Sequence, residues 1–151
     1  MIAVATLRFF IARRLDLSQQ SHNDQMALKQ VIEVPEIKTI GPYSQAVRAG
    51  GLLFVSGQPG VDPATGCATS DFDAQARQVF KNLETVLKAG GSRLDLVVNT
   101  TVLVTDLATF PVVNRLFAEF FPKDPPARMT MQVTLPKGLL VSIGCVAVVA
   151  E

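Results

Sequence analysis

Residues 94–105, Leu94-Asp95-Leu96-Val97-Val98-Asn99-Thr100-Thr101-Val102-Leu103-Val104-Thr105, decide the fold of this chain. So dense a β-branched run suits a central strand, covered by a helix on one face and open to a partner on the other. Helical periodicity flanks it on both sides. Upstream, Phe72, Ala76, Val79, Phe80, Leu83, Val86 and Leu87 recur at the spacing of one helix face. Ser70, with Asp73 three residues later, offers the N-terminal cap, and Gly90-Gly91 stops the helix near Ala89. The polar residues Gln75, Arg77, Gln78, Lys81 and Glu84 are expected to face mostly solvent, with Arg77 and Lys81 available for ion pairs. Downstream, Asp106 or Thr109 opens a second helix with Pro111 in its tolerant first turn. Phe110, Val113, Leu116, Phe117, Phe120 and Phe121 form its apolar side, and Pro122 ends it.

Further out lie the other strands. Residues 44–49 and 52–56 flank Gly50-Gly51, a pair that tolerates the positive φ angles of a tight hairpin turn. Residues 29–34 form a short edge strand, and residues 128–135 and 139–149 are the last two strands, joined through Pro136-Lys137-Gly138. The order β-β-β-α-β-α-β-β predicts an α+β domain, a mixed sheet with two helices packed on one face. The other face then needs a cover, and the valine-rich strands make a second subunit a natural one. A barrel-like centre built from several sheets would satisfy that need.

A chain of 151 residues, 48% hydrophobic and 18% charged, is sized for one domain with a substantial core and argues against disorder. From Met26 onward eleven Lys/Arg face eleven Asp/Glu, so no basic surface invites nucleic acid. Cys67 and Cys145 lie far apart and form neither a disulfide framework nor a metal motif; with His22 the sole histidine, no metal is expected. Their scarcity points to a reducing compartment, the cytoplasm.

Residues 1–25 differ in character from the rest of the chain. An apolar run broken by Arg8, Arg13 and Arg14 leads into the polar tether 18–25, and is too short to span a bilayer. It reads as an N-terminal extension, an organellar targeting segment or translated sequence ahead of a start at Met26, with the domain occupying 26–151. No membrane association is expected.

Chemistry has few candidates. Gly57-Gln58-Pro59-Gly60 lacks phosphate-loop spacing and reads as a turn. No domain histidine is available as a base for a serine nucleophile. Cys145, inside an apolar strand, reads as a buried small hydrophobe. Arg128, in Pro125-Pro126-Ala127-Arg128-Met129-Thr130, remains the most informative group. Its planar guanidinium matches a carboxylate two bonds at a time. It either meets an internal acid or holds an acidic ligand, and few acids fall where strands could bring them to it. Tyr43, Ser56 and Asn114 are further pocket candidates.

Taken together, Ile40-Gly41-Pro42-Tyr43-Ser44-Gln45-Ala46, Phe54-Val55-Ser56-Gly57-Gln58, Asn99-Thr100-Thr101-Val102 and Val104-Thr105-Asp106-Leu107 resemble the RidA/YjgF/YER057c/UK114 family of enamine/imine deaminases. Phe110 with Val113-Asn114, Phe120-Phe121, Pro126-Ala127-Arg128 and Leu135-Pro136-Lys137 extend the match over about residues 26–149. The resemblance implies a chorismate-mutase-like fold forming a barrel-centred homotrimer, with ligand clefts between subunits and no cofactor. It makes Arg128 the anchor of a substrate carboxylate. Tyr43, Ser56 and Asn114 become residues of the cleft, joined by Thr130 where the best-known branch has cysteine. One departure matters: the glutamate that deaminating members carry in the last strand is replaced by Ser142, which can hydrogen-bond a water but is a poor proton acceptor. Two readings stay open, hydrolysis of a small 2-imino acid to a 2-oxo acid and ammonia through Arg128 and Ser142, or a trimeric carboxylate-binding protein of changed specificity. The nucleic-acid cleavage and translation inhibition associated with the family are disfavoured by the neutral charge.

Overall fold

A computed structural model describes residues 28–150, nearly all of which belong to one compact unit beginning at Val31. The expected extension 1–25 and its boundary at Met26 lie outside the described residues. Six strands occur in order: β1 (Gln30–Ile32), β2 (Ala46–Ala49), β3 (Leu52–Pro59), β4 (Val97–Val104), β5 (Ala127–Gln132) and β6 (Val141–Val148). Two helices, α1 (Phe72–Ala89) and α2 (Phe110–Phe120), interrupt them.

The helices form where the apolar periodicity places them. In α1 the residues Ala76, Val79, Phe80, Leu83, Val86 and Leu87 are all buried. Its N-cap is Asp71, not Ser70: the Asp71 carboxylate accepts the Ala74 N–H at 2.8 Å. Pro111 occupies the first turn of α2, as its missing N–H allows. Phe80 stacks on Phe120 at 4.2 Å and meets Phe117 edge-on at 5.6 Å, so the two helices share an aromatic seam.

Strand order is β1-β2-β3-β6-β4-β5. The β2–β3 hairpin turns at Gly50-Gly51, with φ of 56° and 77°. Strand β6 inserts antiparallel between β3 and β4, and β5 lies parallel to β4 after the α2 crossover. The sheet is therefore mixed, as expected. On its helix-covered face sit Leu53, Val55, Val102, Val104, Val141, Ile143 and Cys145, all buried.

The expected barrel centre is overturned. The sheet is open, with β1 and β5 as its two edges and four strands between them. Closure needs edge strands that meet; β1 has three residues, and β5 pairs with β4 alone. The second face of the sheet is left uncovered, since one chain does not close it by rolling up. Phe54, Met129 and Val148 stay 46%, 57% and 40% exposed there.

Candidate functional site

Parallel pairing sets Arg128 beside Thr100, which pairs in turn with Cys145. Thr100 and Cys145 are buried on the helix-covered face, so Arg128 belongs to that face, at the sheet edge beneath α2. There α2 offers Phe110, Asn114 and Phe117, which helical spacing stacks on one side. Arg128 Nη2 donates to Asn114 Oδ1 at 2.7 Å. The guanidinium carbon lies 4.6 Å from the Phe117 ring centre and 5.4 Å from that of Phe110, within cation–π range.

Those contacts are all to neutral groups. Among the described residues Arg128 makes no ion pair, and Glu119 of α2 and Asp73 of α1 are paired with other arginines. Glu119 receives a two-pronged pair from Arg77 at 2.6 and 2.9 Å, and Asp73 is shared by Arg77 and Arg115. Hydrogen bonds from Arg115 and Arg77 hold the Asp73 carboxyl below its ordinary value; the Arg77 bond does the same for Glu119. The Arg128 charge is thus oriented by neutral partners and left without a counter-ion, the arrangement that suits an acidic ligand. Thr130, two residues along the same strand face, has a buried Oγ1 with no hydrogen-bond partner among the described residues.

A second cluster forms around a bulge in β3. Val55 pairs with Cys145 and Gln58 with Ile143, so Ser56 and Gly57 together oppose Gly144. Ser56 Oγ donates to the Ser44 carbonyl at 2.7 Å, fixing the segment that carries the exposed Tyr43. Ser142 belongs here. A Cβ built on Gly57 would come within 2.8 Å of Ser142 Oγ, so glycine leaves the serine its room. Ser142 pairs with Leu103, the neighbour of Met131, on the uncovered face.

The predicted site residues therefore fall into two groups. Arg128, Asn114 and Thr130 share the helix-covered face at the β5 edge; Ser142 and Ser56 share the open face at the bulge, with Tyr43 in the segment Ser56 ties down. The sheet separates them, so one chain does not bring Arg128 to Ser142. Beside Arg128 runs a groove of about 540 Å³ walled by Phe117, Ala118, Phe121, Pro122, Pro125 and Pro126. Phe110 and Phe117, read from sequence as core alone, also form the shelf under the guanidinium. Their spacing with Asn114 was the available signal. Cys145 is a buried thiol whose pKa burial pushes up to about 12, so it is no nucleophile. Among the described residues, no three His, Cys, Asp or Glu side chains gather as a metal would require.

The sequence profile of the family described as Endoribonuclease L-PSP matches residues 34–149. The human 2-iminobutanoate/2-iminopropanoate deaminase is 43% identical over 111 residues, 72% of this chain and 81% of its own length. RidA from the Antarctic bacterium Psychrobacter sp. PAMC 21119 superposes with a TM-score of 0.77 at 39% identity, over 80% of this chain and 99% of its own. E. coli TdcF, solved with bound serine, gives a TM-score of 0.75 at 34% identity, over 80% of this chain and 99% of its own.

Proposed function

This chain belongs to the Endoribonuclease L-PSP family, the RidA/YjgF/YER057c/UK114 group, and on that premise we propose that it hydrolyses small 2-imino acids to 2-oxo acids and ammonia. One observation carries the reading: Arg128 is held by Asn114, Phe110 and Phe117 with no acid to neutralise it. A substrate carboxylate would take the guanidinium N–H groups that Asn114 leaves free. Water then adds to the imine carbon, and the resulting tetrahedral adduct expels ammonia. Anchoring the carboxylate turns that addition into a reaction between positioned partners.

Ser142 is the group assigned to the water. It can orient the water by hydrogen bonding but leaves little proton-accepting power, which predicts modest turnover. Because Arg128 and Ser142 occupy opposite faces of the sheet, a complete site needs a second copy of the chain. Self-association, three copies as in the family, would lay the bulge of one subunit against the β5 edge of another. The exposed Phe54, Met129 and Val148 support such an association. Exposed Cys67 and buried Cys145, both free, suit a reducing compartment such as the cytoplasm.

The test is direct. Purified protein should accelerate the loss of freshly generated 2-iminopropanoate, and Arg128→Ala should abolish the acceleration; a rate equal to buffer refutes the reading. A second reading, a carboxylate-binding protein of changed specificity, draws on serine standing at position 142. It predicts Arg128-dependent binding of oxo or amino acids without turnover.

A further inference from the structure

The groove beside Arg128 differs in character from its charged end. Its walls, Phe117, Phe121, Pro122, Pro125 and Pro126, carry no charged side chain, and Ala118 is the smallest residue among them. A volume of about 540 Å³ falls inside the usual range for small-molecule sites. A ligand whose only side chain is a methyl group would leave most of it unused.

We propose that this groove is the subsite for the substrate side chain, and that the preferred ligand is a 2-imino acid with a branched aliphatic or aromatic tail. The inference rests on the carboxylate-anchoring role assigned to Arg128 and adds to it the identity of the tail. Two features argue for an apolar occupant with an acidic end. The sole cation lining the groove is Arg128, which makes no ion pair among the described residues. The guanidinium packs on Phe117, which is itself a groove wall, so a carboxylate bound to Arg128 starts its carbon chain against that ring. The prolines opposite contribute apolar surface and, having no N–H, no backbone donor.

Ala118 makes the subsite testable without touching the anchor. It is exposed on α2 and lines the groove, whereas Arg128 contacts Phe110, Asn114 and Phe117. Ala118→Phe therefore fills the groove while leaving the guanidinium and the helix core in place. Unreactive 2-oxo acids report the preference by calorimetry, whatever the rate of turnover. Each buried methylene strengthens binding roughly fourfold, so three further carbons, part-exposed in an open groove, should give at least about a tenfold gain. Wild type should bind 4-methyl-2-oxopentanoate at least about tenfold more tightly than pyruvate. Ala118→Phe should erase that gap, weakening 4-methyl-2-oxopentanoate at least about tenfold more than pyruvate.

Equal affinity of the wild type for the two acids overturns the proposal. So does a gap that survives Ala118→Phe, equal weakening of both acids by that variant, or no binding of either acid. Failure of the deaminase reading looks different. There the size preference and its loss in Ala118→Phe persist, while no imino acid is turned over faster than in buffer.

Discussion

Replacing Asn114 by aspartate and by alanine separates the two things Asn114 does for Arg128, orientation and the preservation of charge. Asn114→Ala removes the 2.7 Å bond to Nη2. Both residues are exposed, so the lost charge-assisted bond falls near the low end of its range, about 1.5 kcal/mol, or roughly tenfold in kcat/KM. Asn114→Asp keeps the acceptor in place but sets a carboxylate against the guanidinium. A substrate carboxylate on the far side of Arg128 then lies on the order of 7 Å from the new charge, a repulsion of ~0.6 kcal/mol in water and ~2.4 kcal/mol at an effective dielectric of 20. Binding falls roughly threefold at the first limit and about fiftyfold at the second. Because the substrate keeps its carboxylate through the reaction, the loss in Asn114→Asp should appear in KM with kcat nearly unchanged. Asn114→Ala, by freeing the guanidinium to swing, should lower kcat as well. Raising salt to 1 M should shrink the aspartate defect and leave the alanine defect as it was. Steady-state rates on 2-iminopropanoate at two salt concentrations decide the matter. An Asn114→Asp enzyme with the wild-type KM would refute the assignment of carboxylate anchoring to Arg128.

Ser142→Glu puts an acid at the group proposed to hold the water, and should raise kcat at neutral pH by at least about tenfold; an unchanged rate would show that the water is activated elsewhere. Asp73→Asn should lower the melting temperature at pH 7. Arginine hydrogen bonds lower the folded pKa of Asp73 from its ordinary 3.8, so its contribution is present above that value and is lost as pH falls through the folded pKa. The gap between wild type and Asp73→Asn should accordingly close in acid, and melting curves from pH 7 to pH 2 would expose a gap that does not. Gly60→Ala would place a Cβ 2.3 Å from Gln75 Cγ and from the Gln75 carbonyl oxygen. Backbone has to move, so chemical denaturation should show a loss of roughly 3 kcal/mol; a loss under about 0.5 kcal/mol, the size of an ordinary surface change, would mean the loop yields freely.

Local chemistry was legible and long-range pairing was not. The stripes of α1 and α2, the Gly50-Gly51 turn and Pro111 at the start of α2 are visible because each is set by residues a few positions apart. Gln75 shows the limit. Read as solvent-facing, it is fully buried: its Oε1 accepts the N–H groups of Leu140 and Val141 at 2.6 and 3.3 Å, and its Nε2 donates to the Thr69 carbonyl at 2.6 Å. Asn82 is likewise buried, donating to the carbonyls of Pro59 and Val61 at 2.9 Å each. Both lie beside the apolar stripe, Gln75 four residues before Val79 and Asn82 three after it. An amide can occupy such a place only when the chain supplies partners for it, and those partners lie on strands and loops that sequence does not bring near.

Strand register is why the site residues could be named but not assembled. Along a strand alternate side chains point to opposite faces, so the face a residue joins depends on the parity of its register. Arg128 shares a row with Thr100 and Cys145, whereas Ser142 shares one with Leu103 and Met131. Shifting either pairing by one residue would put both groups on one side and make a single-chain site conceivable. Neither register is written locally: β6 reaches β4 from the far end of the chain, and β5 reaches it only after the α2 crossover. The open sheet, its uncovered apolar face and the separation of Arg128 from Ser142 are consequences of that pairing. Together they leave a second subunit as the means of completing the chemistry proposed for this chain.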